Sequence, residues 1–198
     1  MRKFHQVLGL IMLLPFIAWA ITGVYFFFKP GYQTAYQPLY IKAYPIKQTI
    51  SLPEGDWREV RQIKTILGHH VMLKTKKKWL NYLMPNWAVI DSPNEQQVNA
   101  LIQDAITANK ARYGDVLSID GNQAVTTTDV NITLNWQQLS LRQQGQDTHF
   151  INTMYNIHYL RWTGHKTIDQ YLGVIGLILV VILAGVGTWM TFKPRIRK

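Results

Sequence analysis

The chain has 198 residues, 21 Lys and Arg against 11 Asp and Glu, a formal charge of +10, and no cysteine. The missing cysteine excludes disulfides, thiolate metal centres and a Cys nucleophile. The basic balance admits nucleic acid or anionic lipid as a partner, and the placement of the cations decides between them.

In chain order, Arg2 and Lys3 precede Val7–Phe28, 22 residues without a charged side chain. As a helix this run reaches roughly 33 Å, enough to cross a hydrocarbon core of about 30 Å. Tyr25 to Phe28 place aromatics at its far end, where a membrane interface would lie. Ala18-Trp19-Ala20 has the form of a signal-peptidase site. A signal peptide's apolar core, however, stops after about 7–15 residues, and this one continues through Ile21, Val24 and Phe26. The expectation is an uncleaved anchor that keeps His5 in the mature protein. Pro15 is expected to kink it, as membrane helices tolerate.

Lys29-Pro30-Gly31 closes this span, and prolines 38, 45 and 53 mark an extended connector. Alternating β-formers predict strands at Arg61–Leu67, His69–Thr75, Trp79–Met84 and Trp87–Asp91. The lysines of "TKKKW" fall in a hairpin turn. Ser92 as N-cap, Pro93 in the first helical position and Glu95 completing a capping box predict a helix start. Val98, Leu101, Ile102, Ala105 and Ile106 then repeat at helical spacing, and Gly114 supplies a stop. A short strand follows at Val116–Ile119, with Asp120-Gly121 as turn, and Ile132–Leu141 holds one or two more. Asn131-Ile132-Thr133 fits a glycosylation acceptor, a pattern short enough to recur by chance. From Thr148 the period changes. Ile151, Met154, His158, Trp162, His165 and Asp169 fall at steps of three or four, one stripe if the helix runs through Gly164.

Tyr171–Phe192 is a second uncharged run of 22 residues, with Tyr171 and Trp189 near its ends and Lys193, Arg195, Arg197 and Lys198 beyond it. The positive-inside rule puts both termini in the cytoplasm and residues 29–170 outside. The terminal cations then serve topology and lipid headgroups, and nucleic acid drops out as a partner. The predicted class is α+β: transmembrane helices at about 7–28 and 171–192 flank an antiparallel sheet with one packed helix. The divisions are a cytoplasmic start (1–6), the first span (7–28), an outer domain with its connector (29–147), a juxtamembrane segment (148–170), the second span (171–192) and a basic tail (193–198).

Two stretches carry a family resemblance. "RKFHQVLGL" with "AWAITGVYF" presents a basic residue, His5, Gly9, Trp19, Thr22 and Gly23. "IHYLRWTG" with "YLGVIGL" and "LAGVGTWMTFKPR" presents His158, Gly173, Gly176, Gly185 and Trp189. In these the chain resembles the PepSY-associated transmembrane family, as a small two-span member. The resemblance implies a bacterial inner-membrane protein with a periplasmic PepSY-like domain. Larger members have four spans, and some resemble ferric-siderophore reductases that carry b-type haem on histidines of the spans. The isolated periplasmic module is associated with peptidase inhibition or regulation.

The histidines set the terms for haem. Two axial nitrogens must lie roughly 4 Å apart on opposite faces of one iron. His5 stands alone at the cytoplasmic face. His158 and His165 stand at the outer face; on one helix they lie about 10 Å apart and point the same way. Haem therefore requires a homodimer or another membrane protein. Gly9, Gly23, Gly173, Gly176 and Gly187 offer close helix packing for such an assembly. Asp169 could orient the His165 ring as a hydrogen-bond acceptor. Each histidine also has a plain reading: His5 as a neutral interfacial residue, His158 as part of the aromatic belt beside Trp162, and His165 as a surface residue. His69 and His70 are neighbours on a strand and point to opposite faces, a poor chelate.

No G-x-S-x-G, H-E-x-x-H or nucleotide-binding signature is present, so catalysis by this chain alone is not expected. Two functions stay open. One is an electron-transfer or iron-uptake component, a subunit of a ferric-siderophore reductase-like system, that binds haem b through His5, His158 and His165. The other is a membrane-anchored regulatory or binding module without cofactor.

Overall fold

The structure, a computed structural model, describes residues 1–47 and 49–192. The basic tail from Lys193 to Lys198 lies outside the described residues. Two units divide the chain. One gathers Met1–Tyr32 with the chain from His149 onward, and the other is Gln33–Thr148.

The first unit is built on two long helices, α1 (Arg2–Phe28) and α6 (Lys166–Phe192). Each is long and apolar enough to cross a membrane. Most of their large side chains are bare, including Leu10, Ile11, Leu14 and Ile21 on α1 and Leu177, Ile178 and Val181 on α6. Bare aliphatic surface on this scale belongs in lipid. The helices run antiparallel and meet along a narrow seam. A Cβ on Gly9 would touch Leu183 at 4.0 Å, and one on Gly187 would lie 3.2 Å from His5 Cε1. Gly176 is tighter, 2.9 Å from Leu160 Cδ1 and 3.7 Å from the Trp19 ring. Within this one chain nothing lies within 4 Å of a Cβ built on Gly23. Pro15 sits inside α1, and the helix runs on through it to Phe28.

Between the helices the chain forms α2 (Tyr32–Ala35), β1 (Glu59–Thr65), β2 (Gly68–Lys74), β3 (Trp79–Leu83), β4 (Ala88–Val89), α3 (Glu95–Ile106), α4 (Lys110–Tyr113), β5 (Val116–Asp120), β6 (Gln123–Thr126), β7 (Asn131–Asn135), β8 (Ser140–Gln144) and α5 (Gln146–His158). The α+β class is as expected. The strands form two antiparallel four-stranded sheets, β1-β2-β3-β4 and β5-β6-β7-β8, where the sequence pointed to one. Every strand pairs with its sequence neighbour, so each sheet is a meander joined by tight turns. β6 is the strand that sequence reasoning missed. It has four residues, of which Ala124 and Thr126 are buried, too short to show a period.

The helix start also moves. Asn94, not Ser92, caps α3: its side chain accepts the Gln97 N–H at 2.9 Å, and Gln97 Oε1 accepts the Asn94 N–H at 3.0 Å. This is the reciprocal capping box, shifted two residues so that Pro93 stays outside the helix. The predicted face of α3, Val98 through Ile106, is fully buried. It shares one core with Ile132, Leu134 and Trp136, and with Leu39 and Ile41 of the connector.

A polar network closes this unit where the chain enters and leaves it. Arg112 donates to both oxygens of Asp147 (2.8 and 3.2 Å) and to Gln143 Oε1 (2.7 Å). Gln143 Nε2 donates to the carbonyls of Ala35 and Gln37, and Thr148 Oγ1 donates to that of Ala35. The Arg112 guanidinium holds the Asp147 carboxyl below its ordinary range.

Candidate functional site

The stripe predicted from Ile151 to Asp169 is broken. α5 stops at His158 and Leu160 takes a left-handed conformation, φ 54°. The Arg161 N–H reaches back to the Asn156 carbonyl (2.8 Å) and the Leu160 N–H to that of Ile157 (3.3 Å). This double closure ends helices. Gly164, at φ 75°, turns the chain again before α6 begins at Lys166. His158 and His165 therefore do not share a helical face.

Asp169 has a different partner from the one expected. Its Oδ1 accepts the Thr163 N–H (3.0 Å) and O–H (2.7 Å), and the residue is buried. It pins the turn between α5 and α6, while His165 is exposed just outside the α6 N-terminus.

His158 is the histidine this unit positions most closely. Its carbonyl accepts the Trp19 indole N–H at 2.7 Å, and its Nδ1 lies 2.8 Å from Thr22 Oγ1. Thr22 is buried on the inner face of α1. Its single hydroxyl proton has a close acceptor, the Ala18 carbonyl at 2.6 Å. With that proton spent, the His158–Thr22 bond requires the proton of His158 Nδ1. The geometry thus places a proton on Nδ1 and gives Nε2 no hydrogen-bond partner among the described residues. Phe26 and Tyr159 stand edge-on to the ring at 5.1 and 5.4 Å between centroids and limit its rotation. An imidazole held through one ring nitrogen can, when neutral, bind a metal through the other.

A cavity of about 910 Å³ opens beside this residue. Trp19, Gly173, Val174 and Leu177 give it an apolar wall, and Arg161 and Lys166 line it with positive charge. Its size falls in the upper part of the roughly 300–1,000 Å³ range of cofactor and ligand sites.

His5 lies elsewhere. It stands near the other end of α1 against Gly187, with Nδ1 buried and without a hydrogen-bond partner among the described residues. Seventeen residues of α1 separate it from Thr22, roughly 26 Å of helix. His5 and His158 of one chain cannot meet on one iron.

His70 shows the contrasting, fully satisfied case. It is completely buried; Nδ1 donates to Asn81 Oδ1 (3.1 Å) and Nε2 accepts from Thr65 Oγ1 (3.1 Å). Neither nitrogen is left for a ligand. Among the described residues no group of three or more His, Asp or Glu is placed to hold a metal ion.

The model of the PepSY-associated TM region matches residues 2–198, nearly the whole chain. The chain belongs to the PepSY-associated TM family. With its two apolar helices, this membership places it in a membrane. No curated protein and no solved structure matches it. In this PepSY-associated chain the two resembling stretches come together in space: Trp19 and Thr22 meet His158, and Trp19 also packs on Gly176. Sequence reasoning counted Thr22 among the residues of the family resemblance but gave it no contact. The available signal was a hydroxyl inside an apolar helix, which needs an acceptor in lipid. Arg161 and Lys166 gave no signal, since the turn that brings them to one cavity is not periodic.

Proposed function

We propose that this protein is an electron-transfer component of the bacterial inner membrane, working in iron uptake, and that two copies together hold a b-type haem through His158. The observation that carries this reading is the hydrogen bond between His158 Nδ1 and Thr22 Oγ1. Thr22 Oγ1 accepts the hydrogen bond of His158 Nδ1–H, and His158 lines a mostly apolar cavity. The residues present fit the group: an imidazole held through one nitrogen and an apolar wall for a porphyrin.

Bound haem supplies one-electron chemistry. The chain supplies the rest. Thr22 and Trp19 hold the imidazole ring and its backbone, and the apolar wall excludes water. One chain offers one open imidazole at this level, so a homodimer provides the second. His5 lies at the opposite face and stands outside this ligand pair. His165 stands outside the ligand set. Both termini are cytoplasmic, and residues 29–170 are periplasmic. The chain is not a catalyst alone; it serves as a subunit of a ferric-siderophore reductase-like system.

Full-length protein expressed with haem supplementation and purified in detergent tests this reading. Wild type is expected to carry a Soret band at one haem per two chains, and His158→Ala to lose it while remaining folded by circular dichroism. A wild-type sample with no Soret band after supplementation sinks the proposal.

A further inference from the structure

We infer that Arg161 and Lys166 form a carboxylate-holding rim that sets which amphiphile the His158 cavity accepts: an apolar ring system bearing carboxylates, in preference to its neutral ester. The inference rests on the haem reading of this cavity but concerns residues that reading does not require.

Three observations carry it. First, the two cations line one cavity whose remaining wall is largely apolar, through Trp19, Val174 and Leu177. A ligand that fills it must pair apolar bulk with negative charge. Second, neither cation is neutralised. Among the described residues no ion pair includes Arg161 or Lys166. The acid that lines the same cavity, Asp169, directs Oδ1 to both donors of Thr163. Third, Arg161 is held in place. Its guanidinium carbon lies 5.2 Å from the centroid of the Tyr159 ring, and its backbone N–H closes α5. An arginine stacked on an aromatic ring keeps its donor edge free for a carboxylate. The turn that carries it is fixed by Leu160, Gly164 and Asp169, so the rim is built into the fold.

Hydrogen bonds from these cations to carboxylates are charge-assisted, the stronger class.

The test uses the full-length protein, freed of haem in detergent, and titrates it with haemin and with haemin dimethyl ester, following the Soret band. Wild type is expected to bind haemin about tenfold more tightly than the ester, in line with the loss of charge-assisted bonds. Arg161→Gln with Lys166→Gln is expected to bind both forms with the affinity that wild type shows for the ester. That retained ester affinity reports an intact cavity. Lys76→Gln with Lys77→Gln, which removes two charges from the β2–β3 turn, is expected to keep the wild-type preference. Equal binding of the two haems by wild type overturns the inference and leaves the haem reading standing. A preference that survives in the Arg161/Lys166 variant, or is lost in the Lys76/Lys77 variant, overturns it as well. No Soret shift with either haem in wild type overturns both the inference and the reading beneath it.

Discussion

Two histidines show what single residues decide. His70 and His158 both engage Nδ1, but His70 has its second nitrogen capped by Thr65 and His158 does not. Burial, the larger influence, pushes the His70 ring below its ordinary value near 6.5, and the Asn81 bond opposes this only in part. The folded state thus takes up this proton less readily than the unfolded chain. Stability from His70 is complete above about pH 6.5 and is lost as the pH falls through that value and below it. Thermal unfolding of the full-length protein from pH 8 to pH 5 is expected to show this decline, and His70→Gln to flatten it. An unchanged decline in the variant would assign the effect to other groups.

At His158 the decisive contact is the Thr22 hydroxyl. Thr22→Val keeps the shape and removes the acceptor. It leaves Nδ1–H without a partner and frees the ring to change tautomer. Loss of such a supporting bond costs roughly 10–100-fold in metal affinity. Haem titration of the variant is expected to show a loss of that size. A wild-type affinity would mean that the contact does not prepare the ring. The candidate histidines were legible in the sequence. The state of each nitrogen was not, because it depends on Thr22 meeting His158 across 136 residues of chain.

At the scale of elements, the helices and strands with a strong period were readable. Both spans and the buried face of α3 are where their apolar patterns put them. What the pattern could not give were the ends. Asn94 outcompetes Ser92 as a cap because its partner Gln97 returns the bond. α5 and α6 separate because Leu160 and Gly164 turn a stripe into two helices. The glycines divide in the same way. Gly176 admits the Trp19 ring and Leu160, whereas Gly23 faces open space. Gly176→Leu must push the Trp19 side chain away and is expected to lower stability by about 1–3 kcal/mol. The Trp19–His158 bond goes with it, giving a shift in tryptophan fluorescence. Gly23→Ala is expected to leave the α1–α6 seam unchanged, since nothing stands within 4 Å of the added Cβ. The reverse ranking in thermal unfolding would contradict this account of the seam.

For the molecule as a whole, composition and charge placement pointed to a membrane before any fold was in view, and two long bare helices agree with that. The soluble strands were largely found one by one. Their division into two sheets was not, because a meander gives the same alternating signal whether or not the pairing continues across α3. The proposed function turns on more than one chain: His5 lies against Gly187 and His158 against Thr22, far apart along α1, so the proposal draws the second histidine of an iron site from a second copy.

The reduced-minus-oxidised absorption spectrum of the purified full-length protein measures that claim most directly. The account predicts the sharp α and β bands of a low-spin, bis-imidazole b-type haem on dithionite reduction, at one haem per two chains. It predicts that His158→Ala abolishes them. A spectrum without these bands, or one carrying a full haem per chain that survives His158→Ala, would contradict it.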